Sequence, residues 1–307
     1  MREAVTGLPL SDPDRRRHLR SLAIGASAGL LGVTHPPVGA RLVKGAPFVL
    51  PSRYRETFAD DFDNGDLARF SEEGTVSVNG APAWRSRYRH PRKDPINQEK
   101  QIYVDAAYAG TGDKPLGINP FFISKGVLSI VAERTPEPLR PKLYQMAYTS
   151  GCITTERSFS QQYGYFEMRA RLPVGKGFWP SFWLMPVRDV WPPEIDVIEA
   201  NGLRPGFAHF AVRNPGNKKP IASDWLQVGR PADGWQTFGC EWTREKISFN
   251  VDGFERWSMQ DHQIHEPMYL LANLALGSHD PGWIPDPDAS TPLPARMEID
   301  YIRAFQR

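Results

Sequence analysis

The chain has 307 residues and a mass of 34.6 kDa; hydrophobic residues make up 40% and charged residues 23%, so it can bury a core, and disorder, coiled coil and collagen are excluded. Its 37 basic and 35 acidic residues nearly cancel. That balance gives no support to nucleic acid or an anionic membrane as partner, because both call for a basic excess on one face.

In chain order, residues 1–40 read as an export signal. "DRRRHLR" is a basic n-region, and "LAIGASAGLLGV" is an apolar run too short to span about 30 Å of hydrocarbon comfortably as a helix. Arg15-Arg16, with His18-Leu19-Arg20 behind, resembles the twin-arginine pattern, with His in place of the usual Phe, and Val38-Gly39-Ala40 supplies small residues for cleavage. The expected location is periplasmic or extracellular; a basic tail that stays attached is the alternative. Removing residues 1–40 takes away five Arg and three acids and leaves 32 charges of each sign. No membrane span is then expected in the mature chain. Cys152 and Cys240 suit an exported protein either as a disulfide or as buried thiols, and no Cys/His cluster suggests zinc.

Residues 41–54 form a short lead-in, and from 55 to 307 a single domain is expected, with no internal repeat and no Ser/Gly linker. Its recurrent pattern is period-two alternation bounded by Gly, Pro, Asn or Asp. In "YGYFEMRARLP", Phe166, Met168, Ala170 and Leu172 alternate with Glu167, Arg169 and Arg171, giving one buried and one wet face. "KISFNVDG" points Ile247, Phe249 and Val251 inward and then turns at Asp252-Gly253. Further strands are expected at 127–133, 146–156, 179–185, 207–212, 236–242, 268–275 and 297–305. So many strands predict an all-β fold, an antiparallel two-sheet sandwich or jelly roll. Long Pro-rich loops at 89–100, 213–225 and 277–294 are candidates to shape a binding site.

The stretch "WPPEIDVIEANG", residues 191–202, carries Glu194, Asp196 and Glu199, with the turn signal Asn201-Gly202 behind them. On a regular strand Glu194 and Asp196 share one face, while Glu199 falls on the face that Ile195 and Val197 mark as core. An unpaired charge buried there is expensive. A β-bulge around Val197-Ile198 removes the conflict and returns Glu199 to the face of the other two. Glu194 and Glu199 are then roughly 13 Å apart along the backbone, and side chains leaning inward can approach the spacing of about 5 to 5.5 Å that suits a retaining glycosidase. Three acids this close cannot all ionise cheaply, so at least one pKa should rise. The same residues could instead be surface acids, or a calcium site.

Aromatics frame the acids. Trp191 lies three residues before Glu194, and "GFWPSFWLMP" puts Trp179, Ser181 and Trp183 on one face, with Phe182 and Leu184 on the other as core. Sugar rings stack their CH faces on exposed indoles, so Trp179 and Trp183 are candidate substrate contacts, with burial in the core as the alternative.

"EIDVIE" resembles the bulged active-site signature E-x-D-x-x-E of glycoside hydrolase family 16. "YTSGCITTERSFSQQYGYFEMRARLPVGKGFWPSFWLMP", "WQTFGCEWTREKISFNVDG", "MYLLANLALGS" and "MEIDYIRAFQ" are similar to segments of that family in the same order, so the resemblance covers most of residues 55–307. It implies a legume-lectin-like jelly roll with a glycan cleft on its concave face. It also implies that Glu194 is the nucleophile, Glu199 the general acid/base, and Asp196 the residue that holds and tunes the nucleophile. Trp179 and Trp183 would line the subsite beside the scissile bond, His209 would lie near it, and Asn97 and Asn273 match weaker cleft positions. Many members bind a structural calcium through an acid matching Asp300; no organic cofactor is required. The chain departs from laminarinase-like members by carrying Arg213 where a second histidine is frequent, and Gln236 where many have histidine. Arg213 could pair with an acidic sugar substituent or be a solvated charge, and His209 could equally be a hydrogen-bonded core histidine.

The expected function is endo-acting, retaining hydrolysis of a β-linked polysaccharide, either β-glucan or bacterial exopolysaccharide, by a monomer. A transglycosylase and a non-catalytic lectin-like module are the alternatives.

Overall fold

Nearly every run with period-two alternation forms a strand. The computed structural model describes residues 46–95, 97–277 and 283–307; the export reading over 1–40 and the start of the lead-in lie outside them. With strands numbered in chain order, ten make one sheet in the order β17 (Phe254–Gln260), β16 (Lys246–Val251), β15 (Trp235–Trp242), β9 (Gly164–Arg171), β19 (Ala295–Gln306), β6 (Val127–Arg134), β7 (Tyr148–Ser150) and β4 (Gln101–Tyr103). To this sheet β1 (Arg55–Asp60) adds on β19 and β5 (Phe121–Ser124) on β6. Nine strands make the other, in the order β13 (Ile221–Ala222), β12 (Phe207–Arg213), β11 (Glu194–Glu199), β10 (Phe178–Pro186), β18 (Met268–Leu276), β8 (Cys152–Thr154), β3 (Trp84–Arg85) and β2 (Phe70–Ser71), with β14 (Leu226–Gln227) on β12. The pairings are antiparallel except β2 with β3 and β4 with β7, which are parallel. Helical structure among the described residues is limited to 3-10 segments at Leu67–Arg69 and Glu137–Leu143, and no helix there is long and apolar enough to cross a membrane.

The core lies between the sheets because the alternating apolar residues of both point inward. Phe166, Met168 and Ala170 of β9 and Ile247, Phe249 and Val251 of β16 meet Phe182 and Leu184 of β10 and Ile195 and Val197 of β11 in one cluster. Asp252 and Gly253, both at positive φ (52° and 74°), close the β16–β17 hairpin as expected. The lead-in docks on that hairpin, with Phe48 N–H donating to the Gly253 carbonyl at 2.6 Å.

The strand expected over 146–156 is in fact two strands. The chain changes sheets at Gly151, so β7 joins one sheet and β8 the other. A Cβ at Gly151 would lie 2.7 Å from the Phe121 ring and 2.9 Å from Ile130, and only glycine fits that crossing. Cys152 and Cys240 follow different sheets and are free, buried thiols.

Candidate active site

The site is built on β11 and its two neighbours. Against β12, Asp196 lies opposite Ala211 and Glu199 opposite His209, so Val197 and Ile198 together face a single residue. Against β10, Asp196 pairs with Trp183 and Ile198 with Phe182, which leaves Val197 as the extra residue. This is the bulge that the acid spacing calls for. Its consequence is visible in burial: the adjacent Val197 and Ile198 both pack into the core, at 0% and 1% exposure, and Glu199 is released to the face of Glu194 and Asp196.

All three acids are nearly buried, at 8%, 4% and 7% exposure for Glu194, Asp196 and Glu199, so each needs partners. Glu194 has them on both oxygens: Arg213 Nη1 bonds Oε1, and Trp191 Nε1 donates to Oε2 at 2.8 Å. The same Arg213 Nη1 reaches Asp196 Oδ2 at 3.0 Å. Glu199 accepts from Trp179 Nε1 at 3.1 Å and meets His209 Nδ1 at 3.1 Å. Burial, then the charges on Glu194 and Glu199, push the Asp196 carboxyl well above its ordinary value. Burial raises Glu194 as well, but Arg213 and the Trp191 hydrogen bond work against that rise. The two carboxyls titrate as a pair, and ionisation is disfavoured more at Asp196 than at Glu194. Two glutamates thus face one cleft with separate sets of donors.

Trp179 is buried beside Glu199, whereas Trp183 is half-buried and donates to Asn273 Oδ1 at 2.8 Å. Asn273 in turn donates to the Tyr103 hydroxyl at 3.1 Å, which brings β18 and β4 to the site. Asn97 stands apart from this network; its backbone N–H bonds Glu99 at 3.0 Å. Asp300 is on the opposite sheet with its carboxylate paired to Arg169 at 2.7 Å. A cation there would compete with a guanidinium, and among the described residues no group of three or more His, Cys, Asp or Glu side chains is placed to hold a metal. As it stands, the Asp300 carboxylate is engaged by Arg169, which a calcium ion bound through that acid would have to displace. Arg213, with a side chain only 20% exposed, is turned to the protein's own acids.

Two indoles escaped the sequence reading. Trp225 and Trp283 lie 5.5 and 5.2 Å from the His209 ring, and Trp283 lies 5.3 Å from Trp179, so an aromatic wall runs along the Glu199 side. Both come from Pro-rich loops picked out as cleft-forming; a tryptophan in each was the available signal.

A two-sheet sandwich with buried carboxylates behind a bulge and indoles around them belongs to the carbohydrate-processing class of β proteins. More narrowly, the chain belongs to glycosyl hydrolases family 16, whose model matches residues 123–303, more than half of its length. It is 35% identical over 255 residues to the endo-1,3-1,4-β-glycanase ExsH of Rhizobium meliloti (strain 1021), a match that takes in 81% of this chain and 51% of that one. It thus spans about half the length of that relative. It is 29% identical over 233 residues to the β-glucanase of Rhodothermus marinus, covering 68% of this chain and 75% of the relative. Among solved structures it is similar to the laminarinase catalytic domain from Thermotoga maritima MSB8, with a TM-score of 0.64 and 26% identity over 83% of this chain and 98% of the other.

Proposed function

We propose that the domain is an endo-acting, retaining hydrolase of β-linked polysaccharide, with β-glucan or a bacterial exopolysaccharide as substrate. The observation that carries this reading is the β11 bulge, which brings Glu194 and Glu199 to one face with different partners. Relatives named as glycanases and glucanases support it. Glu194, ionised and held by Arg213 and Trp191, attacks the anomeric carbon as the glycosidic bond breaks and the Glu199 proton passes to the leaving oxygen. Glu199 then takes a proton from water, which displaces Glu194 from the sugar. Asp196 stays beside the nucleophile and its hydrogen bond orients it. The chemistry needs no organic cofactor. Export by the twin-arginine route, from Arg15-Arg16 and the short apolar run, is part of the same proposal.

The test is Glu194→Gln assayed on β-1,3-, mixed-linkage and acidic polysaccharides, with products read by mass spectrometry. Hydrolysis should fall by roughly 10² to 10⁴ or more while glycan binding persists. Unchanged hydrolysis would remove Glu194 from the role of nucleophile.

A further inference from the structure

Among the side chains around the acids, Arg213 has a geometry that the two-glutamate chemistry does not itself require. It sits directly opposite Glu194 in the β11–β12 pairing, and a single nitrogen, Nη1, bonds both Glu194 and Asp196. Trp191 bonds the other Glu194 oxygen. The carboxylate is therefore clamped from two sides, while Asp196 shares the same cation. Among the described residues, the other charged or titratable groups facing this cluster are Glu199 on β11, His209 on β12, and Lys218, whose Nζ lies 5.9 Å from the centre of the Trp191 ring. His209 bonds Glu199, and Lys218 reaches the cluster only across an indole, so among the described residues Arg213 is the cation that Glu194 and Asp196 contact directly.

We infer that Arg213 is a positioning residue for the nucleophile: it orients Glu194 and favours the ionised form of that carboxylate. This rests on the hydrolase reading above and goes beyond it by assigning Arg213 to the protein's own carboxylates instead of to substrate. Three acids near one another share their protons according to the nearest fixed charge. With a guanidinium against Glu194, the ionised form of that carboxylate is favoured. Without it, burial and the charge on Glu199 act on Glu194 with its largest opposing influence gone, and the nucleophile is protonated over a wider acid range. Asp196 would at the same time lose one of the partners that fixes its side chain.

The experiment compares wild type with Arg213→Ala and Arg213→Lys in two measurements. In the kinetic one, Arg213→Ala should lower kcat by roughly 10², change KM little, and move the acid limb of kcat/KM to higher pH by about one unit or more. Arg213→Lys should return the limb toward wild type, since it restores the charge, but recover only part of kcat, since the ammonium on its shorter side chain does not reach the position between the two carboxylates that Nη1 holds. A raised KM with kcat and the pH limb unchanged would make Arg213 a substrate contact and overturn the inference. A loss of stability with a wild-type profile in the remaining active protein would do the same, leaving a structural role only. The second measurement is a 13C-NMR titration of the carboxyl carbons, with signals assigned from Glu194→Gln and Asp196→Asn. It needs no substrate. If the chain hydrolysed no glycan, the hydrolase reading would fail, yet a Glu194 titration unmoved by Arg213→Ala would still be needed to reject the role of Arg213, and a shift to higher pH would still support it.

Discussion

Glu194 and Asp196 are two residues apart, equally out of water, and differ in what they touch. Glu194 takes donors on both oxygens, whereas Asp196 shares one arginine nitrogen and feels two other acids. That asymmetry disfavours the charged form more strongly on Asp196 than on Glu194. It also has a cost in stability, and the sign follows from the raised Asp196 value. In the unfolded chain Asp196 ionises near pH 3.9, as a free aspartate does; in the folded chain it stays protonated to higher pH. Above the unfolded value the unfolded state therefore gains, and stability falls as pH rises toward the folded value. Asp196→Asn keeps a donor beside Glu194 and removes this titration. The variant should melt above wild type at neutral pH, lose that advantage below about pH 4, and show reduced activity. Thermal melts at a series of pH values decide this, and identical melting temperatures throughout would show that Asp196 carries no such penalty. Of these residues the sequence made the acids legible, through their spacing. It could not show that Arg213 faces Glu194, because that contact depends on the register of β12.

At the scale of the element, the bulge in β11 was readable because two constraints conflicted: strand alternation put Glu199 in the core, and burial of an unpaired charge forbids that. The split of residues 146–156 into β7 and β8 was not readable, since nothing local shows which sheet each half will join. Gly202, just after β11, gives a second case. Its N–H donates to the Phe178 carbonyl at 2.9 Å and its own carbonyl accepts from Gly175 at 2.9 Å, so it ties the end of β11 to the approach to β10. A Cβ there would lie 2.3 Å from the Gly175 carbonyl oxygen, whereas one at Gly65 would meet nothing within 4 Å. Gly202→Ala should cost about 1–3 kcal/mol by denaturant melt and lower activity by displacing Glu199, while Gly65→Ala should be close to neutral. Equal tolerance of both substitutions would show that the strand end is not held by this contact.

For the whole molecule, two sheets with a shared core give β10, β11 and β12 a rigid floor, and loops from distant parts of the chain close over it. Trp225, Trp283, Trp191 and Tyr103 reach the site from four separate segments. The export proposed above concerns the chain as a whole: on that proposal, replacing Arg15 and Arg16 with lysine should leave precursor in the cytoplasm, as cell fractionation would show, and normal export of that variant would exclude the twin-arginine route. The sequence by itself determined the β class, the inward-facing residues of the long strands, the three acids and the bulge between them, because period, burial and charge are local properties of the chain. Only the tertiary structure decided which donors each acid meets, that Arg213 is neutralised by the protein's own carboxylates, and which indoles wall the cleft, because those contacts join residues far apart in sequence through strand register and loop path.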